Sequence, residues 1–204
     1  DSYFTVKAPG KEWTNLQEAH ELYCAGHLME AACAYYEATG KDRFLKIMEK
    51  NGDCIYRHFM EECPRGFSGH PEIELALMRL YRATGNEKYK ELCAHFIDVR
   101  GQEPNYFIEE QKTRGWNVWG NDSLDTDYTQ STKPVREQED AVGHAVRAVY
   151  LYTGMADLAK ESGDESLQAA CKTLWDSITK RRMYVTGGIG STVIGEAFTV
   201  DYDL

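Results

Sequence analysis

The sequence predicts an all-α protein built from repeated helical hairpins, and two patterns support this. Short Thr-Gly turns recur in "YEATG", "YRATG" and "YLYTG", which end at Gly40, Gly85 and Gly154. A glycine directly after a helix commonly adopts the left-handed conformation that ends it. The segments after these turns carry apolar residues at helical spacing. Each unit therefore predicts a leading helix, a tight turn and a return helix.

The first leading helix is predicted to run from Asn15 to Thr39. Thr14 or Asn15 can cap its N-terminus, and Gln17 and Glu18 occupy the matching capping-box positions. A second helix follows the turn glycine almost at once. The first unit is thus a hairpin of two antiparallel helices.

The return helices are amphipathic, whereas one leading helix is apolar nearly all round. Each of two return helices has a single apolar stripe, formed by Tyr89, Leu92, Cys93 and Phe96 and by Leu167, Cys171, Leu174 and Ile178. The segment 141–151 has few polar residues, which predicts a helix buried on both sides. Alternation of buried and amphipathic helices predicts an inner and an outer layer.

Two helical architectures fit this alternation, an α/α toroid and an open α-solenoid. The intervals between the turn glycines are unequal, whereas solenoid repeats keep a tighter period. The toroid is therefore the preferred interpretation. With 204 residues, positions 1–204 are expected to form a single domain, or part of a larger one.

The segment from Gly101 to Arg136 shows no sustained period and is long for a loop. Its aromatic residues argue against disorder; they are Tyr106, Trp116, Trp119 and Tyr128. Two interpretations remain open. The rings stack on a sugar, or the loop packs a small core of its own, and the second is slightly favoured.

Composition excludes some classes of function. The net charge of −10 argues against nucleic-acid binding, which needs a basic surface. The apolar runs are too short and too interrupted to span a membrane. The chain does not begin with Met, so a targeting signal cannot be judged and the localisation stays open.

The six cysteines are irregularly spaced and form no C-x-x-C motif. In a chain of this length the pattern predicts reduced, mostly buried thiols and no zinc site built from these residues alone. Cys24 lies near His20 and His27 in the sequence, a spacing that allows a thiolate–imidazolium pair. A small buried residue between packed helices is the favoured interpretation.

Four of the six histidines fall on the leading helices. His20 and His27 share one helix face, His70 precedes a proline at a helix start, and His144 lies in the most apolar helix. If the leading helices form an inner ring, His20 or His27, His70 and His144 converge on one cavity. His27 is interpreted as structural, as are the two remaining histidines, His58 and His95.

The glycine-rich segment "TGGIGSTVIGEAF" does not match a phosphate-binding motif. Val193 stands where the third glycine of G-x-G-x-x-G belongs, and no Gly-Lys-Ser/Thr follows. The glycines instead predict a loop or short β-hairpin of unusual backbone angles near the C-terminus, which presents Glu196. In a partly apolar pocket this carboxyl would suit a general acid. A solvated loop acid is the alternative.

Four long motifs resemble the β-L-arabinofuranosidase family of glycoside hydrolases. They are "HELYCAGHLMEAACAYYEATG", "GHPEIELALMRLYRATG", "PVREQEDAVGHAVRAVYLYTGMAD" and "MYVTGGIGSTVIGEAFTVDYDL". The resemblance implies a bacterial carbohydrate hydrolase with an (α/α)6 toroid followed by β-sandwich domains. It also implies release of terminal β-linked L-arabinofuranose with retention of configuration. Carried over by motif, Glu196 is the acid/base, and His20, His70 and His144 bind the sugar.

The same resemblance implies a zinc cofactor whose ligands lie outside residues 1–204. In the family, a glutamate and a cysteine soon follow "DYDL", and two more cysteines, one of them the proposed nucleophile, come later. We therefore expect an interior part of a larger catalytic domain, without the β-sandwich domains, that self-associates and is inactive alone. Two other hypotheses remain: a toroid-type sugar epimerase or isomerase that uses histidines, and a helical interaction module without an inward histidine cluster.

Overall fold

The computed structural model describes residues 2–119 and 125–203, and these residues form seven α-helices and no strands. The helices are α1 (Glu21–Thr39), α2 (Arg43–Arg57), α3 (Ile73–Thr84), α4 (Glu87–Val99), α5 (Tyr106–Thr113), α6 (Ala145–Ser162) and α7 (Glu165–Arg181). Three short helical turns accompany them, at Thr5–Lys7, His58–Glu62 and Val135–Glu137. The predicted all-α class is confirmed.

Three helical hairpins organise these elements: α1 with α2, α3 with α4, and α6 with α7. Each return helix packs on its own leading helix, and α3 contacts both α1 and α6. The leading helices therefore form one layer, with α3 in its middle. Three hairpins do not show whether this layer closes into a toroid, so the toroid stays a prediction.

Two of the three predicted turn glycines end helices. Gly40 and Gly85 adopt positive φ angles of 70° and 72° directly after α1 and α3. The prediction for Gly154 is wrong, because α6 continues through it and ends at Gly163. Gly154 serves packing instead: a Cβ there would lie 2.8 Å from the Cβ of Glu74 on α3.

The predicted start of the first helix is also wrong. Residues 15–20 form turns, and α1 begins at Glu21. The carboxylate of Glu110 accepts the backbone N–H groups of Leu16 and Gln17, and His20 adopts a left-handed φ of 62°. A left-handed residue interrupts the helical path, so the chain changes direction immediately before α1.

The apolar helix predicted over 141–151 begins at Ala145 and is not buried all round. Ala145, Ala148 and Leu151 are buried, but Val146 is 42% exposed. One face of α6 is therefore open near its N-terminus. The predicted apolar stripe of α4 is confirmed, since Tyr89 and the other three residues of that stripe are all buried.

Arg100 joins three parts of the chain in the interior. Its guanidinium donates to the carbonyl oxygens of Ser68 and Thr129, each at 2.8 Å, and forms an ion pair with Glu74 at 3.1 Å. Both charged side chains are fully buried. The side chain also lies 4.7 Å from the ring of Phe67. This network ties the end of α4 to the segment before α3 and to the segment that carries Tyr128.

The described helices include none that is both long and apolar enough to cross a membrane. All six cysteines are free thiols, as the irregular spacing predicts. The expectation that most are buried is only partly correct. Cys33 and Cys93 are buried, three are partly buried and Cys54 is exposed.

Candidate active site

A cavity of about 680 Å³ opens at the N-terminal ends of α1, α3 and α6. It is lined by Gln17, Glu18, His20, Tyr23, His70, Trp119, Asp125, Tyr128, Thr129, His144, Val146, Arg147 and Glu196. A cavity of this size suits a small ligand, and its lining combines aromatic rings with a few polar groups. All four residues selected from the sequence, Glu196 and the three histidines, lie in it.

Three imidazoles form a continuous row along this cavity. The ring centres of His20 and His70 are 5.4 Å apart, and those of His70 and His144 are 5.5 Å apart. His20 directly precedes α1, His144 directly precedes α6, and His70 lies just before α3. His20 and His144 therefore occupy helix N-termini and not the helix faces on which the sequence pattern places them, whereas His70 lies at a helix start, where the pattern places it.

Glu196 stands at one end of the row. Its Oε2 lies 3.0 Å from Nε2 of His144. The glycine-rich segment is held to α6 by backbone bonds from Ala145 N–H to the Glu196 carbonyl and from Phe198 N–H to the Gly143 carbonyl, both 2.9 Å. These bonds fix the segment beside the histidine row.

The glycines shape the backbone of this segment, as predicted. Gly187, Gly190 and Gly195 have φ angles between 82° and 87°, and Glu196 itself has a φ of 49°. Such angles are readily available to glycine only. Of the two interpretations of Glu196, the solvated loop acid fits better than a carboxyl in a partly apolar pocket, because its side chain is 74% exposed.

Hydrogen bonds define which ring nitrogen carries the proton in two neutral imidazoles, those of His144 and His70. Nδ1 of His144 accepts the backbone N–H of Arg147, so its proton lies on Nε2, which donates to Glu196. Nδ1 of His70 faces the carbonyl oxygen of Pro71 at 2.9 Å and must donate to it, which leaves Nε2 as an acceptor. Nδ1 of His20 forms a hydrogen bond with the hydroxyl of Tyr3. The row thus offers both donors and acceptors to a polyhydroxylated ligand.

All three imidazoles are held in the neutral form. Burial, with the nearby charge of Arg147, lowers the pKa of His70 to about 3 and that of His20 to about 4. The same two causes lower the pKa of His144, although Glu196 opposes them. Neutral rings can bind hydroxyl groups without adding charge to the cavity.

Arg147 and Tyr128 complete the site, and the sequence pattern did not single out Arg147. Its guanidinium donates to the Gly69 carbonyl at 2.9 Å and lies 4.7 Å from the ring centre of Tyr128. Burial lowers its pKa to about 10, so it remains charged at neutral pH. The sequence feature that could have identified Arg147 is its position in the motif "VGHAVR", one helical turn after His144.

The aromatic residues of the segment 101–136 divide between the cavity and contacts with other parts of the chain. Trp119 and Tyr128 line the cavity, whereas Tyr106 packs on Phe67 and Trp116 donates to the hydroxyl of Thr14. Residues 120–124, which belong to the same predicted loop, lie outside the described residues. Stacking of the cavity rings on a sugar stays a prediction, and Tyr106 and Trp116 pack on residues outside the segment.

The other histidines and Cys24 lie outside the row. His58 stacks on Trp13 at a centroid distance of 5.3 Å, and burial lowers the pKa of His95. His27 is partly exposed beside Glu72. Burial raises the pKa of Cys24, which disfavours a thiolate and agrees with a small packed residue.

The residues described here do not supply a zinc site. Within the described ranges, no group of three or more histidine, cysteine, aspartate or glutamate side chains could hold a metal ion. The cavity offers three imidazoles, whose rings contact one another, and the exposed carboxylate of Glu196.

An all-α array of hairpins with a polar, aromatic-lined cavity at the helix N-termini defines the class as a helical domain with a small-ligand cavity. Comparison with known proteins then identifies the family. The family model described as "Beta-L-arabinofuranosidase, GH127 catalytic domain" matches residues 3–204. The chain belongs to this glycoside hydrolase family.

Individual relatives agree with the family match. The chain is 45% identical over 203 residues to the non-reducing end β-L-arabinofuranosidase of Bifidobacterium longum subsp. longum, covering 98% of this chain and 31% of that protein. It superposes with a TM-score of 0.93 on Ara127N-Se, a GH127 β-L-arabinofuranosidase from Geobacillus Stearothermophilus T6, at 56% identity, covering 99% and 32% of the two chains. A second solved GH127 β-arabinofuranosidase, BT3674, gives a TM-score of 0.81 at 40% identity, covering 99% of this chain and 29% of that one.

The chain thus spans about a third of the length of the relatives it matches. The inward histidine cluster is the feature that a helical interaction module was expected to lack. That hypothesis is therefore not supported, and the family match disfavours the epimerase hypothesis as well.

Proposed function

We propose that these residues form the sugar-binding and acid/base part of a glycosidase that releases terminal β-linked L-arabinofuranose with retention of configuration. One observation carries the proposal: three neutral imidazoles and the Glu196 carboxylate converge on one cavity, with His144 Nε2 3.0 Å from Glu196 Oε2. The family membership supplies the reaction class and the sugar.

Glu196 acts as the general acid and base in this proposal. Its side chain is open to the cavity, where it can protonate the leaving oxygen and later deprotonate water. The Nε2–H of His144 holds one carboxylate oxygen, so the orientation of the carboxyl is defined before the sugar binds. His70 offers Nε2 as an acceptor for a sugar hydroxyl, and His20 contributes the opposite end of the row.

Retention requires a nucleophile on the other face of the sugar. We propose that this group is a cysteine, and that it and the zinc ligands belong to sequence outside residues 1–204. Neither is assigned to a described residue. On this proposal the 204-residue chain binds the sugar but does not hydrolyse it.

Binding by the chain itself is the direct test. Methyl β-L-arabinofuranoside and its α anomer are titrated into the chain by calorimetry, and we expect the β anomer to bind more tightly. His70→Ala should weaken binding at least tenfold, whereas His95→Ala, outside the cavity, should not. Equal binding of both anomers, or equal effects of the two variants, would refute the assignment of the cavity.

Turnover tests the assignment of the nucleophile. We expect no hydrolysis of a β-L-arabinofuranoside by the 204-residue chain with zinc added. Zinc-dependent hydrolysis would place the nucleophile within these residues. In a longer, active form of the protein, Glu196→Gln should slow cleavage of an alkyl glycoside by a factor of about 10² to 10⁴. For a nitrophenyl glycoside, whose leaving group needs no proton, kcat/KM should be affected much less, while kcat should still fall because Glu196 also deprotonates the attacking water.

A further inference from the structure

Gln130 lies at the junction of the two segments that bring Tyr128 and His144 to the cavity. The residue is only 1% exposed, and its backbone adopts a left-handed φ of 53°. Such a φ is uncommon for a residue with a side chain, and it persists only where surrounding contacts enforce it. Gln130 is not part of the cavity lining, so its effect on the cavity is made through the segments that it contacts.

The side-chain amide of Gln130 bridges these two segments. Its Nε2 donates to the carbonyl oxygen of Val142 at 3.0 Å and to that of His144 at 3.2 Å. The same nitrogen lies 3.3 Å from the carbonyl oxygen of Tyr128 and 3.4 Å from that of Asp127. Because the amide carries two N–H groups, it can bond to both segments at once.

The turn 142–144 packs closely on the segment that carries Gln130. A Cβ on Gly143 would lie 2.0 Å from the carbonyl oxygen of Asp127, and Gly143 itself has a φ of 70°. Any side chain at this position would therefore push the two segments apart. The amide of Gln130 and the bare backbone of Gly143 together define one arrangement of the turn.

The turn 142–144 places both His144 and the segment of Glu196. Nδ1 of His144 accepts the backbone N–H of Arg147 at 3.2 Å, and its Nε2 lies 3.0 Å from Oε2 of Glu196. The carbonyl oxygen of Gly143 accepts the backbone N–H two residues after Glu196, at 2.9 Å. A shift of the turn would therefore move the imidazole and the acid/base together.

Gln130 carries two local costs that a simpler residue would avoid. Its φ is strained, and its buried Oε1 has no hydrogen-bond partner among the described residues. Glycine would relieve the first cost, and an apolar side chain of similar length would relieve the second. Only the N–H groups of the amide make bonds that neither replacement can make, and these bonds lead to the turn 142–144.

We propose that Gln130 is a positioning residue of the candidate active site, whose side-chain amide fixes the turn 142–144 and thereby holds His144 and Glu196 in place. The inference rests on the proposed function, because that function assigns His144 and Glu196 to the sugar. Gln130 acts without touching the ligand. Its strained backbone and its unpartnered oxygen are retained because the two N–H groups hold the turn.

The test compares two variants with the unaltered chain. Gln130→Met keeps the length of the side chain and removes its N–H donors, and Gln130→Gly also relieves the strained φ. Nuclear magnetic resonance of the imidazole nitrogens should show His144 protonated on Nε2 in the wild type. Both variants should show a mixture of the two tautomers at His144, with His70 unchanged. Calorimetry should show methyl β-L-arabinofuranoside binding to them about tenfold more weakly, the size of one lost hydrogen bond.

Asn105→Ala is the matched control. Asn105 is a buried amide whose Nδ2 donates to the carbonyl oxygen of Ser131 at 2.8 Å, so it holds the residue next to Gln130 to the start of α5. This variant should lower the urea midpoint of unfolding but leave the His144 spectrum and the sugar affinity unchanged.

Each other outcome contradicts the proposal. An unchanged His144 spectrum in both Gln130 variants would refute it and leave the proposed function standing. The same spectral change in Asn105→Ala would show general loosening of the segment, and failure of both Gln130 variants to fold would show a role in stability alone. If the unaltered chain does not bind the sugar, the proposed function fails, and the role of Gln130 in it fails as well.

Discussion

Removal of the buried Arg100 side chain should unfold or nearly unfold the chain. Arg100→Met would leave the fully buried Glu74 without its ion-pair partner, and the carbonyl oxygens of Ser68 and Thr129 without their donors. Breaking a buried ion pair from one side costs about 3–5 kcal/mol. Each stranded carbonyl adds about 1 kcal/mol. The expected loss is comparable to the total stability of many domains, which is about 5–15 kcal/mol.

The assay is urea unfolding followed by circular dichroism, with a double-mutant cycle as the control. Arg100→Met/Glu74→Leu removes both charges together, so it should be less destabilised than Arg100→Met alone. Glu74→Gln removes the charge but keeps one acceptor oxygen, and should fall between the wild type and Arg100→Met. An Arg100→Met variant within about 1 kcal/mol of the wild type would refute the reasoning. So would a double variant whose loss equals the sum of the single losses.

Four further predictions concern other parts of the structure. Gly154→Ala should lower the free energy of unfolding by about 1–3 kcal/mol through overpacking against α3, whereas Thr153→Ala, on the exposed side, should not; equal melting temperatures would contradict this. Between pH 6.5 and 4 the wild type should lose more stability than His70→Gln, because the unfolded chain binds a proton at His70 that the folded chain, with a pKa of about 3, does not; parallel urea midpoints for the two proteins would contradict it. His144→Ala should speed amide hydrogen exchange in residues 184–203 more than His144→Gln, which keeps a donor for Glu196; unchanged exchange would show that the backbone bonds alone hold the segment. We also expect self-association through exposed Val193 and Ile194, which Val193→Asn/Ile194→Asn should reduce in light scattering; a monomeric wild type would refute it.

Sequence reasoning succeeded where the cause of a structural feature is local. Gly40 and Gly85 end helices because a residue after a helix C-terminus often needs a left-handed φ, which glycine adopts without strain. The stripe of α4 follows from helical periodicity alone. The Thr-Gly pattern failed at Gly154, because the same glycine also satisfies a close approach of α6 to Glu74, a contact made by a residue far away in the chain.

The candidate site likewise combines features that local sequence predicts with features that depend on tertiary packing. Its four predicted residues were recognisable from motifs, but only His70 was predicted at a helix start, from the proline that follows it, whereas His20 and His144 were predicted within helices. Only the tertiary structure brings the rings of His20, His70 and His144 into one row, because their contacts join segments that are distant in sequence. The left-handed turn at His20 and the buried charge of Arg147 likewise depend on neighbours that no local pattern names. Periodicity and turn chemistry act over a few residues and are readable in the sequence, whereas burial, electrostatics and convergence depend on how the helices pack.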